Sequence, residues 1–391
     1  MAIEASSEAA GVSRIRLGMV GGGQGAFIGA VHRIAARLDD QFELVAGALS
    51  SDPRRAKASA KELGLADDRA YGSFEEMATA EAARADGIEA VAIVTPNHMH
   101  APVAKAFLEA GIHVICDKPL TTTVAEAETL VALVNKTGKV FVLTHNYTGY
   151  PMIRQARAMI ANGDLGDIRL VQAEYLQDWL TLRLEASGQK QAAWRTDPAR
   201  SGAGGCIGDI GTHAYNLACF VTGLELDQLL AQLSTFVEGR RLDDDVQILL
   251  KWKGGAKGML WASQVAVGNE NGLTLRVYGT KGGLEWAQEQ PNHLWFTPYG
   301  QPRQLLTRSG AGARAEAARV TRVPSGHPEG YLEGFATIYA EAARAIRAAQ
   351  AGQTLDSSVI FPTIEDGLAG MKFIDAAVKS SAANGVWIRL S

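Results

Sequence analysis

Up to residue 144, short apolar runs alternate with longer amphipathic stretches. Runs at 14–20, 42–49, 90–96, 112–116 and 140–144 predict strands. Residues 30–38, 53–63, 101–110 and 123–137 carry helical spacing, and 71–77 lead into another short helix. Strand then helix, repeated, predicts an α/β unit built on a doubly wound parallel sheet. Ligands of such sheets lie at the carboxyl ends of the strands. That puts the glycine cluster after the first strand, Ser50, Asn97, Lys118 and His145 along one edge. After residue 147 the pattern changes. A helix from Pro151 to about 161 and a turn-rich connector at 162–167 precede strand patterns at 168–176, 228–238, 245–252, 257–266, 272–279 and 283–287. Residues 302–325 read as a Gly/Arg/Ala-rich loop, 328–350 and 362–382 as helices, and 386–390 as a last strand. Strands with few helices between them predict an α+β unit with a large, mostly antiparallel open sheet and flanking helices. The boundaries expected are a disordered tail over 1–13, a first domain over 14–147 and a second over 148–391.

Composition narrows the partners. Of 391 residues, 47% are hydrophobic and 20% charged, enough for two ample cores. The net charge is −4 and no basic block occurs, which excludes nucleic acid. No apolar run is long enough to span a bilayer, and the polar head has no signal-peptide core. Cys116, Cys206 and Cys219 are odd in number and widely spaced, an expectation of a reducing, cytoplasmic setting. No Cys-x-x-Cys or His-x-x-x-His pair suggests a metal.

The glycine cluster is the first chemical signal. It runs Gly21, Gly22, Gly23, Gln24, Gly25, Ala26, Phe27, Ile28, Gly29, between a strand and a helix. Glycines allow positive φ and close approach of backbone to a ligand, and a helix N-terminus suits a pyrophosphate. The first domain therefore reads as a dinucleotide-binding Rossmann sheet. Either Ala26 or Gly29 could be the third residue of the fingerprint. The second strand ends at Ser50, where an acidic residue would bond a ribose hydroxyl, and Asp52 before Pro53 reads as a helix cap. A hydroxyl with Arg54 or Arg55 suits a 2′-phosphate, so the cofactor reads as NAD(P), favouring NADP. The plainer reading of both arginines is a solvated helix surface.

Glycines also lead up to Asp209, with His213 four residues later at the start of a helix. That spacing puts both on one face. A carboxylate accepts from hydroxyls, and an imidazole takes a proton near neutral pH. Alone, such a pair reads as a cap and a core histidine.

Taken together the motifs resemble the glucose–fructose oxidoreductase / inositol dehydrogenase / MocA (Gfo/Idh/MocA) family, over nearly the whole chain. The resemblance rests on the glycine turn, Thr95-Pro96-Asn97-x-x-His100, Cys116-Asp117-Lys118-Pro119 and Gly-Gly-x-x-x-Asp209-x-Gly-x-His213. Asp117 stands where the family has Glu, and the glycine loop is longer by about three residues around Gln24 to Phe27. The resemblance implies hydride transfer between a secondary hydroxyl of a cyclic polyol (an inositol, sugar or glycoside) and the nicotinamide. It implies His213 as general base, Lys118 bonding the same oxygen, and Asp209 orienting a neighbouring hydroxyl and supporting His213. The cofactor set expected is Gly21, Gly23, Gln24, Gly25, Ala26, Phe27, Ile28, Ser50, Arg54, Arg55, Thr95, Pro96, Asn97, His100, Asp117 and Lys118. Substrate contacts are expected from Lys118, Asn146, Tyr147, Trp194, Arg195, Asp209, His213 and His327. The family's common Asn-x-Arg pattern is absent near Tyr147. Gln177, Asp178, Trp179 and Trp194 offer a polar and aromatic surface typical of sugar binding, or the tryptophans are core. Asp243 to Asp245 read as a solvated hairpin turn. The open sheet implies a homodimer or homotetramer. Two other readings stand beside the dehydrogenase: a redox-neutral, NAD-dependent glycosidase of the same family, and a nucleotide-binding protein without chemistry.

Overall fold

The computed structural model describes residues 13–390, so the expected tail lies almost wholly outside the described residues. The first sheet contains β1 (Ile15–Gly21), β2 (Phe42–Ala48), β3 (Ala90–Val94), β4 (His113–Cys116) and β5 (Phe141–Leu143). Its order is β2-β1-β3-β4-β5, with every pair parallel. Between them run α1 (Phe27–Leu38), α2 (Pro53–Glu62), α3 (Phe74–Ala83), α4 (His100–Glu109) and α5 (Val124–Thr137). The strand order reverses between β1 and β3, and crevices at such a switch point take ligands. β3 and β4 are buried along their whole length, as a sheet covered on both faces requires.

The second sheet follows α6 (Pro151–Ala161). It comprises β6 (Ile168–Leu176), β7 (Leu226–Ser234), β8 (Asp245–Trp252), β9 (Lys257–Ser263), β10 (Gly272–Gly279), β11 (Gly282–Ala287), β12 (His293–Pro298), β13 (Gln304–Thr307) and β14 (Ile388–Arg389). The order is β13-β12-β11-β10-β6-β9-β8-β7-β14, antiparallel except for β6 with β9. Short helices α7 (Lys190–Arg195) and α8 (Pro198–Ser201) precede α9 (Thr212–Thr222), and α10 (Ala315–Ala318), α11 (Tyr331–Gln350) and α12 (Ile364–Ala382) follow the strands.

Alternation along the strands buries one face of this sheet. Val171, Ala173, Leu260, Leu275, Val277 and Leu284 form one core with Leu217, Phe373 and Ile374 of α9 and α12. The opposite face leaves Leu170, Leu249, Met259, Trp261, Tyr278 and Trp295 exposed. Two features of the fold go beyond the sequence reading. β12 and β13 form an edge hairpin, and β13 lies in the segment read as loop. Its four residues are all at least partly exposed and give no clear alternation. Helix α11 returns to the first sheet: Phe335, Ile338, Ala342 and Ile346 share a core with Leu17, Met19 and Val31. His32 Nδ1 meets the Tyr339 hydroxyl at 2.8 Å in that interface. The nucleotide-type sheet is thus completed by a helix almost 300 residues downstream of α1.

Candidate functional site

One cavity of about 1110 Å³ runs from the glycine turn to the start of α9. Its first half is backbone. Gly21, Gly22 and Gly25 have φ of +79°, +72° and +73°. A Cβ on Gly29 would overlap the Gly22 backbone, so Gly29, not Ala26, is the glycine that lets α1 sit against β1. The added residues close as a turn, with the Ala26 amide donating to the Gly23 carbonyl at 3.0 Å. Ala26 caps α1 without a side-chain bond, so the first amides of the helix keep their donors for a ligand. Arg33 fixes the turn from behind by donating to the Gly22 carbonyl at 2.8 Å.

At the tip of β2, Asp52 is spent as the cap of α2, accepting from the Arg54 and Arg55 amides at 2.9 and 3.0 Å. Ser50 and Arg55 line the cavity; Arg54 and Gly25 do not. Thr95, Pro96, Asn97, Asp117 and Lys118 line it too. His100 is fully buried behind this wall, its two ring nitrogens 2.7 Å from the Pro119 carbonyl and 2.9 Å from the Thr95 carbonyl. It ties two wall segments together instead of facing a ligand. Glycine turn, uncapped helix and cavity fit a dinucleotide.

The inner half is built by side chains from both sheets. Lys118 Nζ donates to the Asp209 carbonyl at 2.6 Å and to its Oδ1 at 3.1 Å. Arg195 Nε and Gln264 Nε2 donate to Oδ2 at 3.1 and 2.9 Å. Burial works against a charged Asp209. The Lys118 and Arg195 charges, with their hydrogen bonds, overrule it and hold the carboxyl well below the usual range. Arg195 also stacks over Trp194 at 4.3 Å, with Trp179 near, so both tryptophans are cavity wall rather than core.

Asp209 and His213 both line the cavity, but through different helical geometry than expected. Ile207–Gly211 is a π-helical turn preceding α9. Asp209 does not bond His213; His213 Nδ1 faces His145 Nδ1 at 3.4 Å instead. Burial, then the charge of Lys118 and the proximity of His145, push His213 well below 6.5, against a smaller pull from Asp209.

Asp243 to Asp245 are buried, not a solvated turn. Asp243 accepts from the Gly205 and Ile207 amides at 2.6 and 2.8 Å, which pins the start of the π turn that carries Asp209. Asp244 accepts from the Phe236 and Val237 amides, and Asp245 from Trp261 Nε1. In sequence, three adjacent carboxylates look like a charged loop; only the fold reveals the amides they serve.

Asn146 and Tyr147 reach the cavity as expected, whereas His327 is exposed and lies outside it. Tyr175, Asn271, Gln288 and Tyr331 line it without having been singled out. Tyr147 and Tyr175 share a hydroxyl contact of 2.5 Å, and the Tyr175 hydroxyl donates to Asn271 Oδ1 at 2.7 Å. These residues sit on a strand, loops and the start of α11, far apart in sequence, with no motif to mark them. Among the described residues no cluster of His, Cys, Asp and Glu could hold a metal ion, and no helix is long and apolar enough to cross a membrane.

A parallel sheet with a glycine-turned switch point, joined to a polar side-chain cluster on a second sheet, defines a dinucleotide-dependent oxidoreductase. The family model described as "Oxidoreductase family, NAD-binding Rossmann fold" matches residues 15–156, and "GFO/IDH/MocA C-terminal domain" matches 153–285. The chain belongs to the Gfo/Idh/MocA family of NAD-binding oxidoreductases, enzymes acting on CH–OH groups. An oxidoreductase from Sinorhizobium meliloti, known as a crystal structure, is 62% identical with a TM-score of 0.87, over 96% of this chain and 100% of that one. An inositol dehydrogenase homolog from Azotobacter vinelandii, solved with NADH and myo-inositol, is 37% identical with a TM-score of 0.90, over 97% and 98% of the two chains. Levoglucosan dehydrogenase of Pseudarthrobacter phenanthrenivorans is 29% identical, over 96% of this chain and 98% of that one.

Proposed function

We propose that this enzyme oxidises a secondary hydroxyl of a cyclic polyol, an inositol or a sugar, with NADP preferred over NAD. The observation that carries the reading is the meeting of Lys118, Asp209 and His213 in one cavity continuous with the glycine turn. A bound nicotinamide would supply the hydride acceptor. Gly21, Gly23, Gln24, Ala26, Phe27, Ile28, Thr95, Pro96, Asn97 and Asp117 form the cofactor's half of the cavity, with Ser50 and Arg55 at its 2′ end. His213 takes the hydroxyl proton. Lys118 donates to the same oxygen and steadies its charge as the proton leaves. Asp209, held ionised, aligns Lys118 and accepts from a neighbouring hydroxyl. Asn146, Tyr147, Trp194 and Arg195 complete the substrate wall. Residues 14–147 serve the cofactor and 148–391 the substrate and subunit contacts. The exposed apolar row on the second sheet, Leu249, Met259 and Trp261 at its centre, supports a homodimer or homotetramer closed over that face. Free thiols at Cys116, Cys206 and Cys219 support a cytoplasmic setting.

The test is a panel of inositols, hexoses, pentoses and simple glycosides, each with NAD and NADP, followed by nicotinamide absorbance. Reduction with one ring class assigns substrate and cofactor together. Aglycone release without net reduction would overturn the reading in favour of redox-neutral cleavage.

A further inference from the structure

Two buried histidines meet through the same ring atom. His145 Nδ1 and His213 Nδ1 are 3.4 Å apart, with the rings near perpendicular at 86°. A hydrogen bond between two such nitrogens requires a proton on one and a lone pair on the other, so the two tautomers are linked. Only His213 of the pair lines the cavity. Among the described residues, no protein group bonds its Nε2.

We propose that His145 is a positioning residue that accepts the Nδ1 proton of His213 and leaves His213 Nε2 bare toward the substrate. The inference rests on His213 being the base. In the reverse arrangement Nε2 would carry a hydrogen and could only donate. With Nε2 bare, the substrate O–H proton passes to it. The C–H bond breaks with its electron pair leaving as hydride for the bound nicotinamide, and the carbon–oxygen bond becomes a carbonyl. His213 then holds two protons, the Nδ1 proton still directed at His145.

The second ring does a job often given to a carboxylate, but without its charge. Groups facing His213 are Lys118, Asp209 and His145, with the Tyr147 and Tyr175 rings at 4.9 and 6.1 Å; those facing His145 are Lys118 and His213. Burial, seconded by Lys118, pushes His145 down to about 3. An uncharged partner therefore leaves the base neutral and ready across the physiological range.

The direct test is nitrogen-15 NMR of histidine-labelled full-length protein, with and without NADP, the two rings assigned through H145Q and H213Q. His213 protonated at Nδ1 and bare at Nε2, with His145 the reverse, is expected; the opposite pattern overturns the proposal. Kinetics give a second reading. H145F, which has no acceptor, should lower kcat about tenfold or more with cofactor affinity unchanged, and H145N, whose amide oxygen can replace Nδ1, should restore most of it. H145D should move the acid limb of kcat/KM upward by about one pH unit or more, because a carboxylate favours the charged base. Equal losses in H145F and H145N with an unmoved limb would mean a packing role only. Should H213A keep its activity, the base assignment fails by itself, while the NMR still decides the pairing.

Discussion

Lys118 and Asp209 are joined twice, through the side-chain Oδ1 at 3.1 Å and through the backbone carbonyl at 2.6 Å. The first residue follows a strand of the parallel sheet and the second sits in the π turn before α9, so the pair ties the two halves of the cavity together. K118A should lower kcat by about 100-fold or more, as expected when a group that steadies oxygen charge is lost. Nucleotide affinity, followed by fluorescence titration, should change little. Turnover near wild type would remove Lys118 from the chemistry.

Asp243 acts one layer further out. D243N keeps the shape but presents an NH₂ to one of the two backbone donors, losing a charge-assisted bond of about 2 kcal/mol. We expect kcat to fall on the order of tenfold while the affinity for NADP stays put, because the glycine turn is untouched. A variant with normal kcat would show that the π turn holds itself.

The two arginines after β2 should separate. R55A should weaken NADP binding by about tenfold, the worth of one phosphate contact, and R54A should not. S50D should shift preference toward NAD by placing a carboxylate where the 2′-phosphate would lie. A wild-type enzyme that already binds NAD more tightly would show that neither Ser50 nor Arg55 meets a phosphate.

G29A is expected to abolish nucleotide binding or folding. The added methyl group would occupy the Gly22 backbone, which no side-chain rotation can relieve. By contrast, A26G leaves the packing intact and should bind nucleotide within about twofold of wild type. Thermal melts and cofactor titrations of both variants check this.

Stability should fall in mild acid. Burial holds His32 and His113 at about 4 and His145 at about 3, so all three stay neutral in the folded chain. The unfolded chain takes up these protons near 6.5, so the stabilisation is full above that pH and is lost as pH drops toward the folded values. Asp243, raised by burial to about 6, opposes the trend by favouring its protonated form in the fold. Each of these histidines loses about 2 kcal/mol by pH 5 and Asp243 regains only about 1.5, so the urea midpoint at pH 5 should correspond to about 4 kcal/mol less stability than at pH 7.5. A flat profile would mean that the histidines are hydrated.

Much of this was written locally in the chain. The alternation of β1 to β5 with their helices follows from apolar period alone, and the glycines of the β1–α1 turn announce a close backbone approach. Asp52 before Pro53 is a cap in sequence and in structure, because capping involves only neighbouring residues. Lys118, Asp209 and His213 were found by motif, and all three face one cavity. What the tertiary structure decided lies in contacts between distant residues. Gly29 rather than Ala26 packs on the turn, α11 completes the first sheet, and Asp243 serves amides 36 and 38 positions away. His145 opposes His213 across 68 positions. Such pairings leave no periodic trace: a buried carboxylate or imidazole differs from an exposed one only in the partners that the folded chain brings to it.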